Sequence, residues 1–209
     1  MSNFLIPYPH DGSDSVTIDC STIDNLIHTT VCSYHPRPEQ ACAWYALLGT
    51  LLLRQLSPKS GYSFYAGTFE ICTSPDPTEE GVWFALCFDA HRPLIPDLEF
   101  HCWIAHPDPT HHTYSEIIDF SARHLETRAR EFSIPWNRES IPNFIWTDVA
   151  GLEQLKVRQL RPIANLTDRI SRMLLQDELF QSAYQYLKFR LRAYVAGASN
   201  ARSPLARER

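Results

Sequence analysis

No block of lysine and arginine stands out in this chain of 209 residues, whose formal net charge is −5 and whose pI is near 6.0. That removes the electrostatic footprint of a nucleic-acid binder. No apolar run approaches the roughly 20 residues that cross a bilayer, so no membrane span is expected. The start, Met-Ser-Asn-Phe-Leu-Ile-Pro-Tyr-Pro-His, lacks a basic n-region and a continuous apolar h-region, and no signal peptide is expected. CxxC spacing is missing as well. The six cysteines, Cys20, Cys32, Cys42, Cys72, Cys87 and Cys102, are scattered, which points to reduced thiols in a cytoplasmic protein. Glycine is sparse, seven against fifteen prolines, so many connections should be stiff and extended. No internal repeat is visible.

What is present is apolar and aromatic. A hydrophobic content of 44% with 12% aromatic residues suits one globular domain of ordinary size. We place that domain at residues 1–196, with a small, polar, basic tail at 197–209 expected to be disordered. Residues 1–16 read as an irregular lead-in, and Ile18 to Val31 has helical spacing. From Ala41 to Leu56 the sequence is apolar around the whole helical wheel, which belongs at the centre of a domain. Pro38 suits the start of that helix, where a missing N–H costs nothing. Four strand-like segments follow: Tyr62–Ile71, Val82–Phe88, Phe100–His106 and Tyr114–Phe120. Ser121 is placed to N-cap a short helix through about Arg130. A Pro/Trp/Asn-rich connection then leads to one long amphipathic helix from Leu166 to Tyr194. The order predicts an α+β fold: a buried central helix packed on an antiparallel sheet, with a long C-terminal helix.

Cys42 sits in Pro38-Glu39-Gln40-Ala41-Cys42-Ala43-Trp44-Tyr45-Ala46-Leu47-Leu48, in the first turn of the apolar helix. Taken alone it reads as a buried thiol behaving like a small apolar residue, as do Cys72, Cys87 and Cys102 in or beside strands. The helix N-terminus, however, carries partial positive charge and unpaired N–H groups that favour a thiolate. Downstream lie Phe100-His101-Cys102-Trp103-Ile104 and Glu116-Ile117-Ile118-Asp119-Phe120. A hairpin turning symmetrically about Thr110 sets His101 opposite Asp119 and Trp103 opposite Ile117. Opposed residues have Cβ atoms ~4.5–5.5 Å apart, which suits an imidazole–carboxylate hydrogen bond. Asp119 would then orient His101, and His101 would take the proton of Cys42. The Cys42 N–H and the Gln40 side chain are the candidate oxyanion donors. His106, Asp108, His111 and His112 cluster on one hairpin, but their spacing matches no closed zinc site, so neither metal nor cofactor is expected.

These motifs, in this order and with steps of 59 residues from Cys42 to His101 and 18 from His101 to Asp119, resemble the transglutaminase-like branch of the papain-like superfamily. They are also similar to an uncharacterised bacterial domain family with a Phe-His-Cys-Trp strand. The resemblance covers roughly residues 38–121. It implies a central helix against an antiparallel sheet, with Cys42 as nucleophile, His101 as general base and acid, and Asp119 as orienter. It implies a thiol hydrolase (peptidase, amidase or deamidase) working through a thioacyl intermediate on a protein, peptide or small amide substrate. Acyl transfer or transglutamination by the same triad, and a catalytically silent relative that binds a protein, are the alternatives. The Gly-rich turn that arylamine N-acetyltransferases carry before the cysteine is missing, which argues against acetyl-CoA as donor.

Overall fold

The apolar segment after Pro38 has no polar face to offer solvent, and the remaining elements are arranged to cover it. A computed structural model describes residues 6–9, 15–74, 82–86, 100–108 and 113–201. Strands β1 (Ile6–Pro9) and β2 (Ser15–Ile18) pair antiparallel as a separate ribbon, where an irregular lead-in was expected. Helix α1 (Cys20–Tyr34) is N-capped by Asp19, whose Oδ1 accepts the Thr22 N–H at 2.7 Å. Pro38 opens a 3-10 turn, Pro38–Gln40, and helix α2 (Cys42–Leu56) begins two residues later. Its buried residues run round the whole wheel, from Cys42 to Leu56.

The strands β3 (Ser63–Cys72), β4 (Trp83–Leu86), β5 (His101–Asp108) and β6 (Thr113–Asp119) follow the expected segments closely. A 3-10 turn, Ala122–His124, leads into helix α3 (Leu125–Glu131). The Pro/Trp/Asn-rich connection is not a plain loop. It contains β7 (Ile145–Thr147), helix α4 (Val149–Gln154) and β8 (Val157–Pro162). The antiparallel sheet runs β4-β3-β5-β6-β7, and β8 pairs with β3 at Gly67–Ile71. The fold is α+β, as expected.

Helices α5 (Ala164–Gln176) and α6 (Glu178–Ala201) stand where one long helix was expected. The break is at Asp177, whose backbone is extended and whose Oδ1 accepts the Phe180 N–H at 2.7 Å, so it caps the second helix. Helix α6 runs past the expected tail boundary at 197 to Ala201; the rest of the tail lies outside the described residues.

The sheet separates two apolar clusters. On one side Cys102, Ile104, Ile118 and Phe120 pack with α1, α2, α5 and α6. On the other, Trp103, Ala105 and Ile117 pack with Phe69, Leu125, Ala129 and Trp136. Alternation along β5 and β6 makes this division, because successive side chains face opposite ways. Helix α2 lies close on the sheet because Gly49 has no side chain; a Cβ there would sit 2.6 Å from Ile104 Cδ1 and 2.8 Å from Phe120 Cε2.

Gly67 is a second close approach. It pairs with both His101 of β5 and Pro162 of β8, and a Cβ would lie 2.0 Å from the Arg161 carbonyl oxygen. That atom belongs to a paired strand and has little freedom to move. Gly67→Ala should therefore destabilise the chain by about 1–3 kcal/mol through overpacking. The check is a lowered urea midpoint at unchanged slope; an unchanged midpoint would mean that β8 can lift away at no cost.

Candidate active site

Three elements meet at one end of the sheet. Cys42 is the first residue of α2, which follows Ala41 with no side-chain cap, so the first-turn N–H groups face the cleft without a competing acceptor. His101 is the first residue of β5, and Asp119 is the last of β6. Because His101 starts its strand, its ring meets the helix tip at the end of the sheet. The Sγ of Cys42 lies 3.9 Å from the Phe100 carbonyl oxygen, immediately before His101. Cys42, His101 and Asp119 are 9%, 2% and 5% exposed, so each charge among them has to be stabilised by neighbours.

His101 Nε2 bonds Asp119 Oδ2 at 2.8 Å. The register that achieves this is not the symmetric one. Ile104 pairs with Ile118 and Ala105 with Ile117, two residues displaced from expectation, with an irregularity between His106 and Pro107. An even displacement keeps every side chain on its face. His101 therefore reaches Asp119 diagonally, a span of ~7–8 Å between opposed-plus-two positions that an imidazole can bridge. Trp103 no longer faces Ile117.

The other carboxylate oxygen of Asp119 is held too. Its Oδ1 accepts the Ser121 N–H at 2.8 Å and the Ser121 Oγ–H at 2.7 Å. Ser121 holds the expected N-cap position before the Ala122–His124 turn, but its side chain makes no capping bond and braces Asp119 instead. The Asp-x-Ser spacing is the signal that could have shown it.

Burial alone would raise the Asp119 carboxyl, but the His101 charge and the bonds from His101 and Ser121 hold it below its ordinary value. Cys42 is lowered from 9.0 to about 5. A hydrogen bond from Cys102 contributes first, and the bond and charge of His101 add to it against burial. Cys102 had been expected to be a purely structural thiol. For His101, burial pulls the value down, yet the charge and hydrogen bond of Asp119, together with Cys42, lift it from 6.5 to about 10. The ring is therefore bonded to Asp119 and placed beside Cys42, and thiolate with imidazolium is the favoured state.

Gln40 ends the 3-10 turn and lines the same cleft as Cys42 and His101, with Glu39, Leu86, Ser121, His124 and Arg128. The space these walls leave is about 10 Å³. That holds roughly one water. His124 and Arg128 carry no motif that sequence reasoning could have used. Of the zinc candidates, His111 and His112 lie outside the described residues. His106 bonds Ser115 Oγ at 2.9 Å through Nδ1, and no group of three potential ligands converges among the described residues. Among the described residues no helix is long and apolar enough to cross a membrane.

No protein-family model matches the chain, and no curated protein matches it. A solved structure, described as "The crystal structure of genomics APC5867", is similar at 14% identity and a TM-score of 0.49, covering 79% of this chain and 74% of that one. A likeness that distant carries no argument about the site.

The shared proton has a thermodynamic signature. Folded, the Cys42–His101 pair keeps one proton from about pH 5 to about 10. Unfolded, it also holds one between 6.5 and 9.0, but on the thiol. The pair therefore adds no slope to stability in that window. Below it the unfolded pair binds a second proton, and stability falls as pH drops; above it the unfolded pair loses its proton first, and stability falls again. Cys42→Ala removes the compensation. The raised His101 then contributes stability that is full below its unfolded value and lost as pH rises through its folded one. Urea midpoints between pH 6 and 9 should decline in Cys42→Ala relative to the native chain. Parallel profiles would show that thiol and ring do not share a proton.

Proposed function

We propose that the chain is a transglutaminase-like thiol hydrolase that cleaves an amide or related acyl bond through a thioacyl intermediate on Cys42. The observation that carries this reading is the His101 ring, bonded to Asp119 and lining one cleft with the Cys42 thiol at an uncapped helix tip. The thiolate attacks the substrate carbonyl carbon; the C–S bond forms and the carbonyl electron pair moves to oxygen. The Cys42 N–H and the Gln40 side chain donate to that oxyanion. His101 gives its proton to the leaving amine as the C–N bond breaks. It then takes a proton from water, whose oxygen attacks the thioester, and the acid leaves as Cys42 regains its electron pair. Asp119 stays ionised and keeps the ring in place. An amine in place of water would make the same intermediate serve acyl transfer. Cysteines that form no disulfide among the described residues support a reducing, cytoplasmic setting.

The tightness of the cleft favours a second reading, a silent relative that binds a protein partner. Alkylation separates the two. With iodoacetamide at pH 6, Cys42 should react at least about 10-fold faster than the exposed Cys32, because its thiolate is populated there. The fast phase should vanish in Cys42→Ala and slow in His101→Ala. Equal rates for Cys42 and Cys32 would leave the silent relative standing.

A further inference from the structure

Behind the cleft runs a chain of three polar rings that the proposed reaction does not use. His124 lines the cleft beside Cys42 and His101. Its Nε2 lies 3.0 Å from the hydroxyl of Tyr45, and that hydroxyl lies 2.7 Å from Nδ1 of His28. Tyr45 is on α2 one turn below Cys42 and is fully buried, and His28 comes from α1. Among the described residues, Nδ1 of His124 has no partner, and it is the ring's remaining polar atom.

A hydroxyl between two imidazole nitrogens donates to one and accepts from the other. If Tyr45 donates to His28, then His124 donates through Nε2 and presents a bare Nδ1 lone pair to the cleft. If His28 donates to Tyr45, the hydroxyl donates to His124, which then carries its proton on Nδ1. A thiolate at Cys42 favours the second arrangement, because a donor facing an anion is stabilised and a lone pair facing it is not. We propose that His124 is a catalytic residue: its Nδ1–H donates to the substrate carbonyl oxygen as charge develops there, and Tyr45 and His28 are the positioning residues that set this tautomer. The proposal rests on the thiol-hydrolase reading above.

The surroundings suit a neutral donor. Burial, then the charges of His28 and Arg123, hold His124 down at about 4, so it adds no second cation to compete with His101 for the thiolate. Burial, then Arg123, likewise keeps His28 below its ordinary value. Burial pushes the Tyr45 hydroxyl well up, so it remains a donor at any working pH. Arg123 itself is paired with Asp24 and does not reach for the hydroxyl.

Two reagents divide this role from that of His101. p-Nitrophenyl acetate acetylates Cys42 by forming a C–S bond and releasing p-nitrophenolate, through a tetrahedral oxyanion. Iodoacetamide alkylates the same sulfur by displacing iodide, with no oxyanion. His124→Ala should slow acetylation about 10²-fold, the loss typical of one oxyanion donor, while alkylation stays within about 3-fold, since the nucleophile is untouched. Tyr45→Phe, which keeps the ring and removes the hydroxyl, should show the same selective loss at smaller size; it decides the matter if His124→Ala does not fold. His124→Asn, which restores an N–H donor, should recover part of the rate. Acetylation and alkylation falling together, or neither falling, overturns the assignment. Slow alkylation of the native chain would instead sink the thiol-hydrolase reading beneath it.

Discussion

A helix that is apolar on every side has one stable place, the interior, and α2 organises the chain by demanding that place. Each buried leucine or tyrosine side chain contributes roughly 1.5–3 kcal/mol when removed from water, so partial covering would forfeit much of the fold's stability. Strands β5 and β6 cover one face, and α1, α5 and α6 cover the others. Gly49 lets the helix approach Ile104 and Phe120 more closely than any side chain would. The result is a helix whose body has no freedom and whose first residue comes out at the end of the sheet. Cys42 is positioned by the packing of residues that have no chemistry of their own.

That position is expensive for charge, and the polar network around it is the answer to the expense. Burial disfavours each ionised form, yet Asp119 stays a carboxylate because three hydrogen bonds converge on its two oxygens. Removing one partner of such a buried pair typically costs about 3–5 kcal/mol, since the other charge is left uncompensated. His101 is the hinge of the arrangement: its Nε2 satisfies Asp119, and its charge stabilises the thiolate. Cys102, directed to the helix side of the sheet by strand alternation, adds the bond that lowers Cys42 further.

The parts legible in the sequence are those governed by local period. Helix α2 and strands β3 to β6 follow from the apolar wheel and from β-branched, aromatic segments between turns. Asp119 and His101 were correctly placed on one face, since face depends on parity, and the two-residue displacement in register preserves parity. Register itself depends on the irregularity at His106–Pro107, which no local pattern announces. Strands β7 and β8 are short and take their hydrogen bonds from β6 and β3, so their extended form is a tertiary effect with little propensity behind it. The break at Asp177, where the side chain caps the next helix, interrupts an apolar spacing that continues on either side and reads as one helix. His124, Tyr45 and His28 are drawn together from three elements far apart in sequence, and only packing joins them.

The two histidines of the cleft show how far neighbours, and not residue type, set chemistry. His101 has a carboxylate at 2.8 Å and a thiol, and is lifted to about 10; His124 has Arg123 and His28 for neighbours, and is lowered to about 4. Burial pulls both down and is the largest cause at half-buried His124; only His101 has an adjacent carboxylate that reverses it. The sign of the adjacent charge decides the difference. A site with one imidazolium and one neutral imidazole has a proton to give and a donor that stays put. Groups of one kind pushed apart in pKa mark divided acid–base roles. The division here is made by Asp119 on one side and by the Arg123–Asp24 pair on the other, which keeps a guanidinium fixed beside His124 without adding net charge to the interior.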